Sequence, residues 1–469
     1  MSGTGAATVR AKSVRRAGAA LRAAALCLGL MAAGAVAQAA PLVLTPEGMV
    51  QMAVTLLDRG EPAQAERFAD ALLQQNPKDA TALILKARAQ RDMAAYPQSR
   101  ATARLAWTGA TLPRERYGAA MAMAQALASD GQRLRAQLWL RRAIDAAPTE
   151  TARAVAVRDL RYVRNRSRLS LRLDFSVRPS SNVNGGTSER VIDFLGLPLT
   201  IAPDSRALSG GVVQAAATAQ YRLAESAAAK TDLRFGLIQR EVWLSSAAKA
   251  AAPMARAGNY RLSGYEIGLD RAVKLPALQG EATAALTFGH NRFGGSPMSD
   301  YARVDLGLSR QLAPRLTVEF GLTAERQRRL DAPNRSANIL GASAGLTRQL
   351  DGGDRVGVTL DLRDTRSRAD SIDHRAISAD LTWTKAEPVR GIGLSAGMGL
   401  AARDYDRAAL SPDGRQDVTL RAEANLALQE LDRMGFMPVL SVRAERTRSN
   451  IALHRAQSLG LGLSIRSKF

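Results

Sequence analysis

Residues 169–177 read LSLRLDFSV, with an apolar side chain at every second place. Successive side chains of an extended chain point to opposite faces. Leu169, Leu171, Leu173, Phe175 and Val177 therefore share one surface, and Ser170, Arg172, Asp174 and Ser176 share the other. A helix would mix the two sets. The stretch predicts a half-buried strand, and its length suits a tilted membrane crossing of roughly 9–11 residues.

The same period recurs to the end of the chain. Ala282, Ala284, Leu286 and Phe288 form one apolar face, and Ala302, Val304, Leu306 and Leu308 another. Val356, Val358, Leu360 and Leu362 follow, then Val418, Leu420, Ala422, Ala424, Leu426 and Leu428. About 14 such segments can be marked, an even number as single-chain bacterial barrels require. Connections at 275–279, 312–315, 350–354 and 385–389 are tight and hold proline or glycine. Longer polar loops are expected at 178–207, 244–258, 291–300 and 405–416. Short turns on one rim and long loops on the other predict a transmembrane barrel over 168–469, with both its ends on the periplasmic side. A soluble all-β domain needs neither a closed even strand count nor the final Phe469.

Phe469 shares parity with Leu459, Leu461, Leu463 and Ile465, and such a terminal phenylalanine resembles the signal read by the barrel-insertion machinery; Ser467 interrupts the apolar face. Aromatic residues are 4% of the chain, so interfacial girdles are thin, with Tyr221, Trp243, Phe288 and Trp383 as candidates. By parity the lumen receives Arg172, Asp174, Arg234, Arg303, Asp305, Glu319, Asp361, Arg363, Arg421, Glu423, Arg443 and Glu445. These charges are mixed in sign, so the wall can cross-link itself and is no simple anion sieve.

Upstream, the period becomes helical and rich in alanine. Gly60, Ala65, Leu72 and Pro77 have the spacing of a tetratricopeptide repeat's second helix and its exit, and Gly131, Ala136, Ala143 and Pro148 repeat it. Ala82, Leu83, Ala87, Tyr96, Ala103 and Trp107 fit a looser middle repeat. Glycine turns the chain, small alanines let helices approach, and proline stops the second helix. A periplasmic helical-repeat domain is expected over 45–166, a binder of partner chains and not a site of chemistry. Trp107 and Trp139 read as packing residues. The stretch 149–168 reads as a last helix, with Arg153, Arg158, Arg161, Arg164, Arg166 and Arg168 away from the face of Val155, Ala156, Leu160 and Val163. Those arginines are either a solvated face or contacts to inner-leaflet phosphates.

Residues 1–39 read as a secretory signal peptide. Lys12, Arg15, Arg16 and Arg22 precede the apolar run 23–36, and Ala37-Gln38-Ala39 is a small-residue cleavage site. Cys27, the chain's one cysteine, lies inside that run, so cleavage would leave neither disulfides nor thiolate chemistry. A net charge of +22 would ordinarily suggest nucleic acid. Export turns the expectation toward outer-membrane lipids, lipopolysaccharide phosphates or an acidic passenger, with no nucleic acid.

Catalytic, cofactor and metal sites are not expected. His290, His374 and His454 are far apart in sequence and fall near predicted loops, and no pair has metal-ligand spacing. Gly294-Gly295 and Gly352-Gly353 read as turns, since neither opens a helix after a buried strand. Ser371 and Asp373 beside His374 form the nearest approach to a hydrolytic cluster, and sequence adjacency alone does not make one.

The whole predicts an α + β multidomain chain, tetratricopeptide-like repeats followed by a 14-stranded antiparallel transmembrane β-barrel. At the junction, Pro179-Ser180-Ser181-Asn182-Val183-Asn184 leads from the opening strand into a long first loop. This motif and the order of domains resemble the surface lipoprotein assembly modifier family. The resemblance implies an outer-membrane protein whose periplasmic repeats receive an exported lipoprotein or secreted passenger and whose barrel passes it to the surface. The alternative is an exopolysaccharide or small-solute porin, for which a lumen of one sign would be the better fit.

Overall fold

In the computed structural model, which describes residues 44–194 and 197–467, seven helices lead directly into a closed barrel. The expected signal peptide, Cys27 and Phe469 lie outside the described residues.

The helices form antiparallel neighbours: α1 (Pro46–Asp58), α2 (Pro62–Gln75), α3 (Ala80–Asp92), α4 (Tyr96–Gly109), α5 (Pro113–Ser129), α6 (Arg133–Asp145) and α7 (Glu150–Arg166). Proline opens α1, α2 and α5, where its missing N–H would have had no partner anyway. Ala65, Leu72, Ala82, Leu83, Ala87, Ala103, Ala136 and Ala143 are all buried, so the small residues of the repeat pattern sit where helices meet. The largest cluster joins Leu127, Leu140, Ile144, Leu160 and Val163, which ties α5, α6 and α7 together. Trp107 and Trp139 pack against it edge to face, with ring centres 5.3 Å apart. Gly60 and Gly131 turn the chain between helices at φ of +76° and +75°. The equivalent turn of the middle repeat holds Ala94 at φ +60°, a left-handed conformation in an L residue.

After Ser167 and Arg168 the chain enters β1 (Leu169–Ser180). A small hairpin, β2 (Val191–Phe194) and β3 (Leu197–Thr200), lies in the following loop. The wall continues through β4 (Gly210–Glu225), β5 (Ala229–Leu244), β6 (Leu262–Leu275), β7 (Gly280–Phe293), β8 (Ser296–Ala313), β9 (Leu316–Arg329) and β10 (Ala337–Gln349). It finishes with β11 (Arg355–Ser367), β12 (His374–Thr384), β13 (Ile392–Tyr405), β14 (Arg415–Leu428), β15 (Phe436–Ser449) and β16 (Ala456–Ser467). Each strand pairs antiparallel with its neighbour, and β1 meets β16 to close a barrel of 14 strands. β1 pairs with β4 along its whole length, but among the described residues it meets β16 only from Phe175 to Ser180.

The outer surface is what water would not tolerate. Leu171, Leu173 and Phe175 are 55%, 59% and 45% exposed, and Leu306, Leu322, Leu340, Leu362 and Leu461 are exposed likewise. An apolar surface continuous around the wall is a surface for lipid. No described helix is long and apolar enough to cross a membrane; the crossing is by strands. Tyr221, Trp243 and Phe288 face outward and are exposed, and Trp383 donates its indole N–H to Asp354 at 3.1 Å.

One expected loop is absent. Instead of a long connection at 291–300, Phe293 and Ser296 are joined by Gly294-Gly295 alone, at φ +61° and +88°. Two glycines with positive φ supply the twist of a tight hairpin, so the strands run on through residues that read as polar loop. Long connections occur at 181–209 and 245–261, and a nine-residue one at 406–414 where a longer loop was expected; the remaining connections are short on both rims.

Candidate functional site

The barrel interior is lined by the residues opposite the exposed leucines. Arg234, on β5, sits between the carboxylates of Glu266 and Asp270 on β6, the latter at 3.0 Å, and donates to Thr287 at 2.9 Å. Tyr301 donates its hydroxyl to Glu266 at 2.7 Å. Alongside, Arg303 reaches Asp305 at 2.9 Å and Glu325 at 3.7 Å, and Thr323 donates to Asp305 at 2.8 Å. Across the lumen's other strands Arg443 pairs with Glu423, and Arg421 lies 3.5 Å from Asp380. Arg172, Asp174 and Arg363 project from the same face and are exposed, and Glu319, Asp361 and Glu445 share that parity.

The sequence pattern missed Glu266, Asp270, Glu325 and Asp380. Their signal was present, since Tyr265, Ile267 and Leu269 alternate with Glu266, Gly268 and Asp270. Side chains that clamp one another across strands stiffen a wall and hold a passing polar chain weakly, because few are left uncompensated.

At the rim distal from the helices, the motif at 179–184 builds the base of the first loop. Ser181 donates its N–H to Leu459 O at 3.0 Å and accepts from Leu459 N at 2.9 Å. Asn182 brackets Gly186, accepting from its N–H and donating to its carbonyl. Asn184 accepts from Leu208 N at 2.9 Å and donates to Arg206 O at 2.8 Å. Val183 is 3% exposed and packs with Leu208, Val212, Val242 and Leu244. Val212 and Val242 are lumenal by parity, so the loop is pinned against the inner wall at this mouth. Thr187 donates across to Arg455 O at 2.8 Å, which fastens the loop to the connection before β16. Pro179, facing Gly211, and Ser180, facing Gly210, end the strand below it.

The other mouth carries the helices. Arg153 of α7 reaches Asp432 at 3.2 Å, in the turn between β14 and β15. Arg141 of α6 donates to Met434 O in that turn at 3.1 Å and lies 4.7 Å from the centre of the Phe436 ring. Burial and the neighbouring Arg164 pull the Arg141 guanidinium's pKa down, against the pull of Asp432. Arg433 completes the contact with Asp145 at 3.7 Å. Of the remaining α7 arginines, Arg158 pairs with Asp159, Arg166 lies over Tyr162, and Arg161 and Arg164 are exposed, as is Arg168 just past the helix.

The histidines are apart. His290 hydrogen-bonds Asp300 at 2.7 Å, the His374 imidazole lies 2.6 Å from Ile372 O and stacks on Tyr405, and His454 contacts Arg415. Burial, then Arg415, lowers the His454 pKa. Asp373 accepts from Ser367 N at 2.9 Å and lies 3.6 Å from Arg366. Among the described residues no group of histidines and carboxylates could hold a metal ion.

The tetratricopeptide repeat profile matches residues 46–89, and that of the surface lipoprotein assembly modifiers matches residues 281–466, most of the barrel wall. Over that stretch the chain is similar to the surface lipoprotein assembly modifier family. That match and the lipid-facing barrel together support an outer-membrane role in lipoprotein assembly. Solved barrels of low identity also align. OmpTdeltaL8, a loop L8 deletion mutant of the Vibrio cholerae outer membrane protein OmpT, is 8% identical over 64% of this chain and 99% of its own, with a TM-score of 0.35. A bacterial polysaccharide outer membrane secretin is 9% identical over 63% and 98%, with a TM-score of 0.34. OprB of Pseudomonas putida is 10% identical over 64% and 94%, with a TM-score of 0.36. Scores this low carry no functional inference. No curated protein matches the chain.

Proposed function

We propose that this protein acts as a surface lipoprotein assembly modifier and delivers specific lipoproteins, or other exported chains, across the outer membrane. The helices stand in the periplasm and receive the passenger, the barrel passes it, and no step of the reaction is enzymatic. The observation that carries this reading is the docking of α6 and α7 on the barrel's own turn through Arg141, Arg153 and Asp432. A repeat layer held there presents a captured chain to the lumen and not to bulk solvent. The paired lumenal charges favour transit of a polar chain without tight binding, and the first loop stands at the exit.

The test is a chain lacking 44–165 but keeping the export signal. The helices and the wall have separate cores, so the truncated barrel should still insert and shift on heating in gel electrophoresis. The proposal expects surface display of the passenger to fall at least ten-fold. Normal display by an inserted, truncated barrel overturns the two-part mechanism.

A further inference from the structure

Arginines on the outward face of the wall are distributed unevenly between its two ends. Arg326 and Arg328 of β9, Arg366 of β11, Arg375 of β12, and Arg446 and Arg448 of β15 have the parity of the lipid-facing leucines and are exposed. All lie toward the rim distal from the helices. On the helix-proximal half the corresponding outward arginines are Arg271, Arg310 and Arg348. A membrane with the same anionic headgroups on both sides gives no reason for that bias.

Four of the distal arginines converge. Arg326 and Arg366 both stand opposite Asn338, on either side of β10, which sets them roughly 10 Å apart at the usual strand spacing. Arg375 stands opposite Asp364, and Arg366 reaches that carboxylate at 3.0 Å. Arg326 and Arg328 make no ion pair with a described carboxylate. Asp300, held by His290, and Asp404, opposite Arg375, border the patch.

Directly below, toward the middle of the wall, lies a groove of about 610 Å³ that reaches up to Asp364 and Arg375. Leu306, Leu322, Leu340 and Leu362 wall it, and small Ala342 leaves the hollow between them. Guanidinium forks bind phosphate bidentately, and an apolar groove beneath them fits hydrocarbon.

We infer that this face of β9–β12 is a binding site for a multiply acylated, bisphosphorylated glycolipid of the outer leaflet. One acyl chain lies in the groove, and the phosphates lie on Arg326, Arg328, Arg366 and Arg375. A single-phosphate diacyl lipid would satisfy the groove but only part of the guanidinium cluster. The inference rests on the barrel and its orientation, and is independent of any passenger.

The full-length protein in detergent, titrated with hexa-acylated bisphosphorylated lipid A and read by native mass spectrometry, tests it. Retention of lipid A at least ten-fold tighter than phosphatidylglycerol or dephosphorylated lipid A is expected. Replacing all four arginines by glutamine should weaken lipid A at least ten-fold, and Ala342→Trp, which fills the groove, several-fold. Arg326→Gln, which breaks no ion pair, serves if the fourfold variant does not insert, and should weaken binding about three-fold. Unchanged binding in inserted variants overturns the site. Equal affinity for phosphatidylglycerol, or full competition by inorganic phosphate, overturns the assignment of the glycolipid.

Discussion

The Arg153 guanidinium of α7 and the Asp432 carboxylate of the β14–β15 turn lie 3.2 Å apart, and the Asp432 side chain is only 4% exposed. A charge so withdrawn from water depends on its partner, and removing one member of such a pair costs roughly 2–5 kcal/mol. Arg153→Ala is therefore expected to loosen the helices from the wall while leaving the barrel inserted. Faster amide exchange in α6 and α7, with unchanged protection in the strands, would check this. Uniform protection in the variant would show that the pair does not hold the layers together.

Ala94 is expected to be a site of easy stabilisation. At φ +60° an L residue is strained by about 1–2 kcal/mol, and glycine relieves most of that. Glycine also gains freedom in the unfolded chain, so Ala94→Gly should raise helical-domain stability by about 0.5–1 kcal/mol net. Denaturant titration of the helical signal measures it, and a lowered midpoint would contradict the reading.

Glu115 links helix stability to pH. Its carboxylate accepts from Leu112 N at 3.1 Å and Thr111 N at 3.0 Å, and the Leu112 backbone bond leads the effects holding its pKa below 4.5. A carboxylate with a depressed folded-state pKa stabilises the fold above its unfolded-state value. That contribution is lost as pH falls through the folded-state value. Glu115→Gln should thus cost about 1 kcal/mol at pH 7 and less at pH 3. Paired thermal melts at the two pH values decide it; an equal cost at both would exclude the charged cap.

The first loop should act as a lid on the distal mouth. Asn184→Ala removes bonds to Leu208 N and Arg206 O, and Asn182→Ala removes the bracket around Gly186. The double variant is expected to show larger, noisier single-channel conductance in planar bilayers than the parent. Identical recordings would mean that the loop does not obstruct the lumen.

Much of this architecture is readable from period alone. The alternation at 169–177 and the alanine spacing around Gly60 and Gly131 need no partner to be seen, because each reflects one strand or one helix pair. What escaped depends on register or on a single backbone angle. The polar run after Asn291 reads as a loop, yet two glycines in the left-handed region carry the strands through it. Ala94 conceals the middle repeat's turn because alanine normally signals helix. The outward arginines alternate correctly with leucine, and only the pairing of β9 to β12 brings Arg326, Arg366 and Arg375 onto one patch. The motif at 179–184 is legible as a string, but its work, pinning Val183 to the lumenal wall, needs β4 and β5 in place.

The most direct test of delivery is a comparison of surface-shaved proteins from cells with and without this chain. The account predicts that one or a few specific lipoproteins disappear from the surface and accumulate, intact, on the periplasmic side. An unchanged surface profile, with large steady currents from the purified barrel, would contradict it and leave a channel for small solutes.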